Sequence, residues 1–178
     1  RASLVLLKNE RNTLPLPETV KNIAVIGPNA DNVELLLGNY NGTPSHPVTP
    51  LQGIRDRLGA RARVTYTPGC PLAEGMAADR KGSAGALLAE ALQAAREADA
   101  VVLCLGISPR LEGEEMEVKV PGFHGGDRTS LDLPAPQQEL MEQVAALNKP
   151  TVLVLFNGSA LAINRADRII PAILEAWY

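Results

Sequence analysis

The sequence predicts an α/β fold: a flavodoxin-like, three-layer α/β/α sandwich around a mainly parallel sheet. Three observations carry this prediction. Several apolar runs are continuous rather than alternating, as strands buried on both faces require. Most of them end at glycine, proline or asparagine turns. Between them lie segments whose apolar residues recur at helical spacing, so strand and helix alternate along the chain.

The first strand is Ile23-Ala24-Val25-Ile26, which stops at Gly27-Pro28-Asn29. Thr49-Pro50-Leu51-Gln52 carries a capping-box signature with proline at the first helical position. Leu51, Ile54 and Leu58 then form an apolar stripe, and Gly59 supplies the stop. Arg63-Val64-Thr65-Tyr66 is a half-polar strand ending at Pro68-Gly69. Ser83 can cap a helix whose inner face is Leu87, Leu88, Ala91, Leu92 and Ala95. Residues 100–105 form the next apolar strand, closed by Gly106. Leu140, Met141, Val144 and Leu147 define a third helix, ended by Asn148-Lys149-Pro150. Residues 151–156 and Ala172-Ile173-Leu174 are the last two strands.

Composition bounds the function. The chain has 178 residues, 46% hydrophobic, 21% charged and only 3% aromatic, with a formal net charge of −3. That length fits one domain, taken as residues 1–178, and the apolar fraction excludes a disordered chain. Without a strong basic field, neither nucleic acid nor an anionic membrane is an expected partner. No apolar run approaches the roughly 20 residues of a membrane span. Two cysteines, Cys70 in a loop and Cys104 in an apolar run, exclude a disulfide-rich scaffold. The first residues contain neither an initiator methionine nor the zones of a signal peptide, and the chain stops directly after an apolar run. The expectation is a domain cut at both ends from a longer protein.

One stretch breaks the rhythm. Residues 107–133 show no period of 2 or 3.6, and they hold Pro109, Gly113, Pro121, Gly122, Gly125 and Gly126. Long loops in compact domains are often functional, and this one leaves the C-terminal end of a strand, where open α/β sheets bind ligands. It carries the acidic cluster Glu112-Gly113-Glu114-Glu115-Met116-Glu117. Three readings stand: a solvated charged loop, a general acid/base on a mobile loop, or a hard-cation site. Neighbouring carboxylates raise one another's pKa, which suits a proton donor. His124 is a weak candidate ligand. Asp127-Arg128 either pins the loop as an ion pair or reaches a sugar hydroxyl, and Tyr40 is a candidate ring for stacking on a ligand.

Other chemistries find no support. Gly27-Pro28-Asn29-Ala30-Asp31 follows a strand but lacks G-x-G-x-x-G, and Pro28 removes a backbone donor that a phosphate needs. No Walker-type loop, C-x-x-C or G-x-S-x-G elbow occurs; Ser159 in Asn157-Gly158-Ser159 stands in a different setting.

Several segments together resemble one family. Leu4-Val5-Leu6-Leu7-Lys8-Asn9, then Leu14-Pro15-Leu16 and Ile23-Ala24-Val25-Ile26-Gly27-Pro28-Asn29-Ala30, are similar to the opening of the second domain of glycoside hydrolase family 3. So are Gly38-Asn39-Tyr40, Thr49-Pro50-Leu51, and Gly126-Asp127-Arg128 with Leu131-Asp132-Leu133-Pro134. Val154-Leu155-Phe156-Asn157-Gly158-Ser159 and the final segment 172–178 complete the match, in order, over almost the whole chain. The loop 111–128 looks most like the β-xylosidase and β-glucosidase branches.

The resemblance implies a retaining, exo-acting β-glycosidase acting on terminal non-reducing β-linked sugars in an oligosaccharide or glycoside, without a cofactor or metal. In that family a TIM-type barrel carries the nucleophilic Asp, and the second domain supplies the acid/base Glu from a loop preceding a Gly-Asp-Arg segment. Carried over by position, Glu112 is the best match for the acid/base, with Glu115 second and Glu114 third. The family's Ser-Asp-Trp nucleophile motif is missing; the sole tryptophan is Trp177. Retaining hydrolysis needs two carboxylates about 5–5.5 Å apart, so the barrel of the same polypeptide becomes the implied partner and this piece alone is expected to be inactive. The alternative is a non-enzymatic carbohydrate-binding or interaction module on an α/β fold.

Overall fold

The computed structural model describes residues 3–40, 42–78 and 82–178, leaving aside the side chains of Asn39 and Tyr40. The Tyr40 ring therefore lies outside the described residues. Six strands form the main sheet: β1 (Leu4–Asn9), β2 (Asn22–Ile26), β3 (Arg63–Thr67), β4 (Ala100–Gly106), β8 (Thr151–Asn157) and β9 (Ala172–Trp177). Their order is β1-β9-β8-β4-β2-β3. All pairs are parallel except β1 with β9. Leaving out β1, the parallel strands run 2-1-3-4-5 in chain order, the flavodoxin-like arrangement.

The three continuous apolar runs became the central strands. β4 is buried at every position, and β8 and β2 at nearly every one. Their residues alternate between two cores. Ala24, Ile26, Val101, Leu103, Leu153 and Leu155 face one side, covered by α2 (Ala84–Glu97), α3 (Ala135–Ala145) and α4 (Asn164–Ile169). Ile23, Val25, Val102 and Cys104 face the other, covered by α1 (Pro50–Leu58) and Leu35 of the 3₁₀ segment Glu34–Tyr40. Cys70 and Cys104 belong to opposite cores and are free thiols, each pushed up to about 12 by burial.

The helix starts follow their caps. Thr49 Oγ1 accepts from Gln52 N–H at 3.2 Å, and Ser83 Oγ from Ala86 N–H at 3.2 Å. The capping box is only half made, because the Gln52 amide reaches forward to Asp56 while Thr49 donates to Asp31. Among the described residues, no helix is long and apolar enough to cross a membrane.

Two elements depart from the sequence reading. The apolar run at the N-terminus is a strand, β1, on the antiparallel edge of the sheet; its side chains from Leu4 to Leu7 are exposed, so burial does not explain its apolarity. The stretch 107–133 is not free of regular structure. It folds back as β5 (Lys119–Val120), β6 (Phe123–His124) and β7 (Asp127–Arg128), a small antiparallel sheet. Two-residue strands are too short to show a period. Ile107, Leu111 and Phe123 are buried with Leu72 and Ala73 in a third small core, which roots this segment to the body.

Candidate active site

The direction of strand order reverses between β2 and β4: the chain leaves β2 for β3 on one side and returns to β4 on the other. Loops at the C-terminal ends of strands part at such a point and leave a crevice. The loop after β2 is tied to the other wall by Asn29, whose N–H donates to the Cys104 carbonyl and whose side-chain amide donates to the Ile107 carbonyl, each at 3.3 Å. The loop after β4 is the acidic one.

The root of the acidic loop is built from polar contacts. Buried Gln137 on α3 accepts from Gly106 N–H at 2.8 Å and donates to the carbonyls of Leu72 and Gly106 at 2.6 and 2.7 Å. Gly113 N–H donates to Gly126 O at 3.3 Å and Met116 N–H to Gly125 O at 3.1 Å, closing the loop on itself. Gly126 has φ +92°, and a Cβ there would stand 1.9 Å from the Gly113 carbonyl oxygen, so only glycine fits this crossing.

Beyond the root opens a cavity of about 770 Å³. Glu112, Glu114, Asp127 and Arg128 supply its charges, and Gly158 and Ser159 after β8 form part of the wall. The four glutamates separate by environment. Glu112 is 6% exposed, whereas Glu114, Glu115 and Glu117 are exposed. Glu112 Oε1 accepts from Gly158 N–H at 2.9 Å and from the Tyr178 hydroxyl; Oε2 accepts from the Ser159 hydroxyl. Gly158 must be small for this: a Cβ would lie 2.9 Å from Glu112 Oε1. Of the other three, Glu114 lines the cavity. Glu115 sits at positive φ (54°) on the solvent side.

Arg128 pins the loop, with carbonyl and hydroxyl acceptors. It donates to Ser130 O at 3.0 Å, Ala160 O at 3.1 Å, Asp132 O at 3.3 Å and Ser159 Oγ at 3.2 Å, and it lies 5.0 Å from the Phe123 ring centroid. Burial lowers its pKa, while the nearby Glu112, Tyr178 and Asp132 hold it up. Asp127 is exposed beside it on β7, and His124 is exposed on β6. Among the described residues no group of three or more His, Cys, Asp or Glu side chains is placed to hold a metal. Neither Tyr178 nor Gln137 stands out by its own sequence context, and Ser159 stands out only as part of the family-like segment 154–159, outside any nucleophile elbow.

A family model for the glycosyl hydrolase family 3 C-terminal domain matches residues 4–178. The chain belongs to this family. A β-xylosidase from Formosa agariphila is 39% identical over 183 residues, which take in 99% of this chain and 23% of the relative. A periplasmic β-glucosidase from Salmonella typhimurium is 35% identical, over 100% of this chain and 24% of the relative. A solved β-glucosidase from Erythrobacter marinus superposes with a TM-score of 0.83 at 34% identity, over 99% of this chain and 25% of that one. The family 3 domain here thus spans about a quarter of the length of these glycoside hydrolases.

Proposed function

We propose that this domain is the acid/base-bearing part of a retaining β-glycosidase, of β-xylosidase or β-glucosidase type, that removes terminal non-reducing β-linked sugars. The observation that carries the reading is an exposed carboxyl, Glu114, lining a cavity formed by the loops that follow β4 and β8. A general acid must reach the leaving oxygen to within about 2.6–3.2 Å in the bound complex, so it has to face the cavity with room to approach a substrate. Position in the sequence puts Glu112 first and Glu115 second. The geometry favours Glu114, because both oxygens of Glu112 already serve as acceptors for the body of the domain. The second carboxylate that a retaining mechanism needs is assigned to a barrel domain in the remaining length of the parent enzyme. On this reading the 178-residue domain alone is inactive.

The test uses the parent enzyme. Protonation matters most for poor leaving groups, and the same group later activates water to release the sugar. Glu114→Ala should strongly impair alkyl glycosides and spare glycosylation by dinitrophenyl glycosides. Added azide should restore turnover by attacking the intermediate without a base. The same signature at Glu112→Ala or Glu115→Ala instead would move the assignment to that residue. Its absence from every glutamate of the cluster would end the acid/base reading.

A further inference from the structure

Glu112 is a buried carboxylate that joins three separate parts of the chain. It stands at the start of the acidic loop, next to buried Leu111, and its own N–H donates to Ser108 O at 3.2 Å. Its oxygens take the Gly158 N–H and Ser159 hydroxyl from the turn after β8, and the hydroxyl of Tyr178 just past β9. Burial, followed by the proximity of Glu112, pushes the Tyr178 hydroxyl far up, so it remains a donor. The turn itself is braced. Asn157 Nδ2 donates to Ser159 O at 3.0 Å, and Arg128 donates to Ser159 Oγ at 3.2 Å. Two residues further along the loop, Glu114 is exposed and reaches the cavity.

We infer that Glu112 is a positioning residue: it clamps the root of the acidic loop to the β8 turn and thereby holds Glu114 at a fixed place over the cavity. This inference rests on the assignment of the acid/base to Glu114. Its physical basis is that misplacing a catalytic group by about 1 Å can cost on the order of 100-fold in rate. Gly113, the one residue between the clamp and Glu114, is held at the opposite loop strand by its bond to Gly126. The clamp therefore transmits its position through one intervening residue, two peptide units, rather than through a flexible arm.

The clamp can be weakened without touching either glutamate. In the parent enzyme, Ser159→Ala removes one donor and Tyr178→Phe another, and both are small changes in shape. Each should lower kcat/KM for an alkyl glycoside by about tenfold, the scale of one lost hydrogen bond to a charged group. The dinitrophenyl glycoside should be nearly unaffected. Each should add little in a Glu114→Ala background, where there is no acid left to misplace. Equal losses on both substrates, or full additivity with Glu114→Ala, would reduce Glu112 to a structural anchor and overturn the clamp. That outcome differs from failure of the acid/base reading, which Glu114→Ala reports alone: if that variant shows neither leaving-group dependence nor azide rescue, both ideas fall together.

Discussion

The parallel sheet and the acidic loop are held by different forces. β4 and β8 are wrapped in aliphatic side chains that contact one another from both faces, and any one of them is one among many. The segment 107–133 has four buried apolar anchors, Ile107, Leu111, Phe123 and Leu133, and otherwise depends on the hydrogen bonds of its small sheet and of Glu112, Arg128 and Gln137. Apolar burial is non-directional and adds up with area. Hydrogen bonds contribute less each but fix direction. The sheet should therefore set the stability of the domain, and the loop the placement of its functional carboxyl.

The largest effect expected from this contrast is on stability. Leu153 is fully buried at the centre of the larger core. Leu153→Ala removes its side chain and leaves a cavity, at a cost of about 2–5 kcal/mol. For a domain of this size that corresponds to a melting temperature lower by on the order of 10 °C. The ratio of alkyl to dinitrophenyl glycoside rates in the parent enzyme should stay unchanged. A shift in that ratio would show that the two regions are mechanically coupled.

A smaller loss of stability with a larger loss of function is expected at Gly126. A methyl group there collides with the Gly113 carbonyl, and the backbone already lies at positive φ. Gly126→Ala should cost roughly 1–3 kcal/mol as the loop closure gives way. Leaving-group dependence should rise toward that of Glu114→Ala, with alkyl glycosides slowed more than dinitrophenyl glycosides. Thermal melts and the paired substrates read the two quantities separately. A variant that melts early but keeps its leaving-group dependence would contradict the division of labour.

The same contrast explains what the sequence made legible. Residues 23–26, 100–105 and 151–156 read as central strands because two-sided burial demands continuous apolar runs, and β2, β4 and β8 lie there. The caps Thr49 and Ser83 were legible because capping is local. β1 was not read as a strand, since its exposed apolar side chains satisfy neither burial nor alternation. α4 has six residues and no side-chain cap, too little for a periodic signal. Within the site, the acidic loop stood out by composition, but the ranking of its glutamates did not. Glu112 is distinguished by partners 47 and 66 residues away, Ser159 and Tyr178, and nothing within the loop encodes them.

The smallest expected effect lies where the sheet meets the site. Glu175 on β9 is 6% exposed and accepts from Asn157 Nδ2, whose other bond braces Ser159. Burial raises the Glu175 carboxyl above its ordinary value of about 4.3, and the Asn157 bond only partly opposes this. A carboxyl raised in the folded state contributes stability that is fully present below its unfolded pKa and is lost as pH rises through the folded value. Glu175→Gln cannot ionise and still offers an oxygen to Asn157. Its melting temperature should match the parent domain near pH 4, then exceed it at pH 7, with the gap opening between. Asp99 has the opposite sign, because the N–H groups of Lys21 and Asn22 lower its pKa, so its contribution is lost as pH falls. Asp99 is present in both proteins, so the difference between their melting curves isolates Glu175. A gap that is largest at low pH would mean that the charged form of Glu175 is the one the fold favours, and that the junction between sheet and site is electrostatic rather than dry.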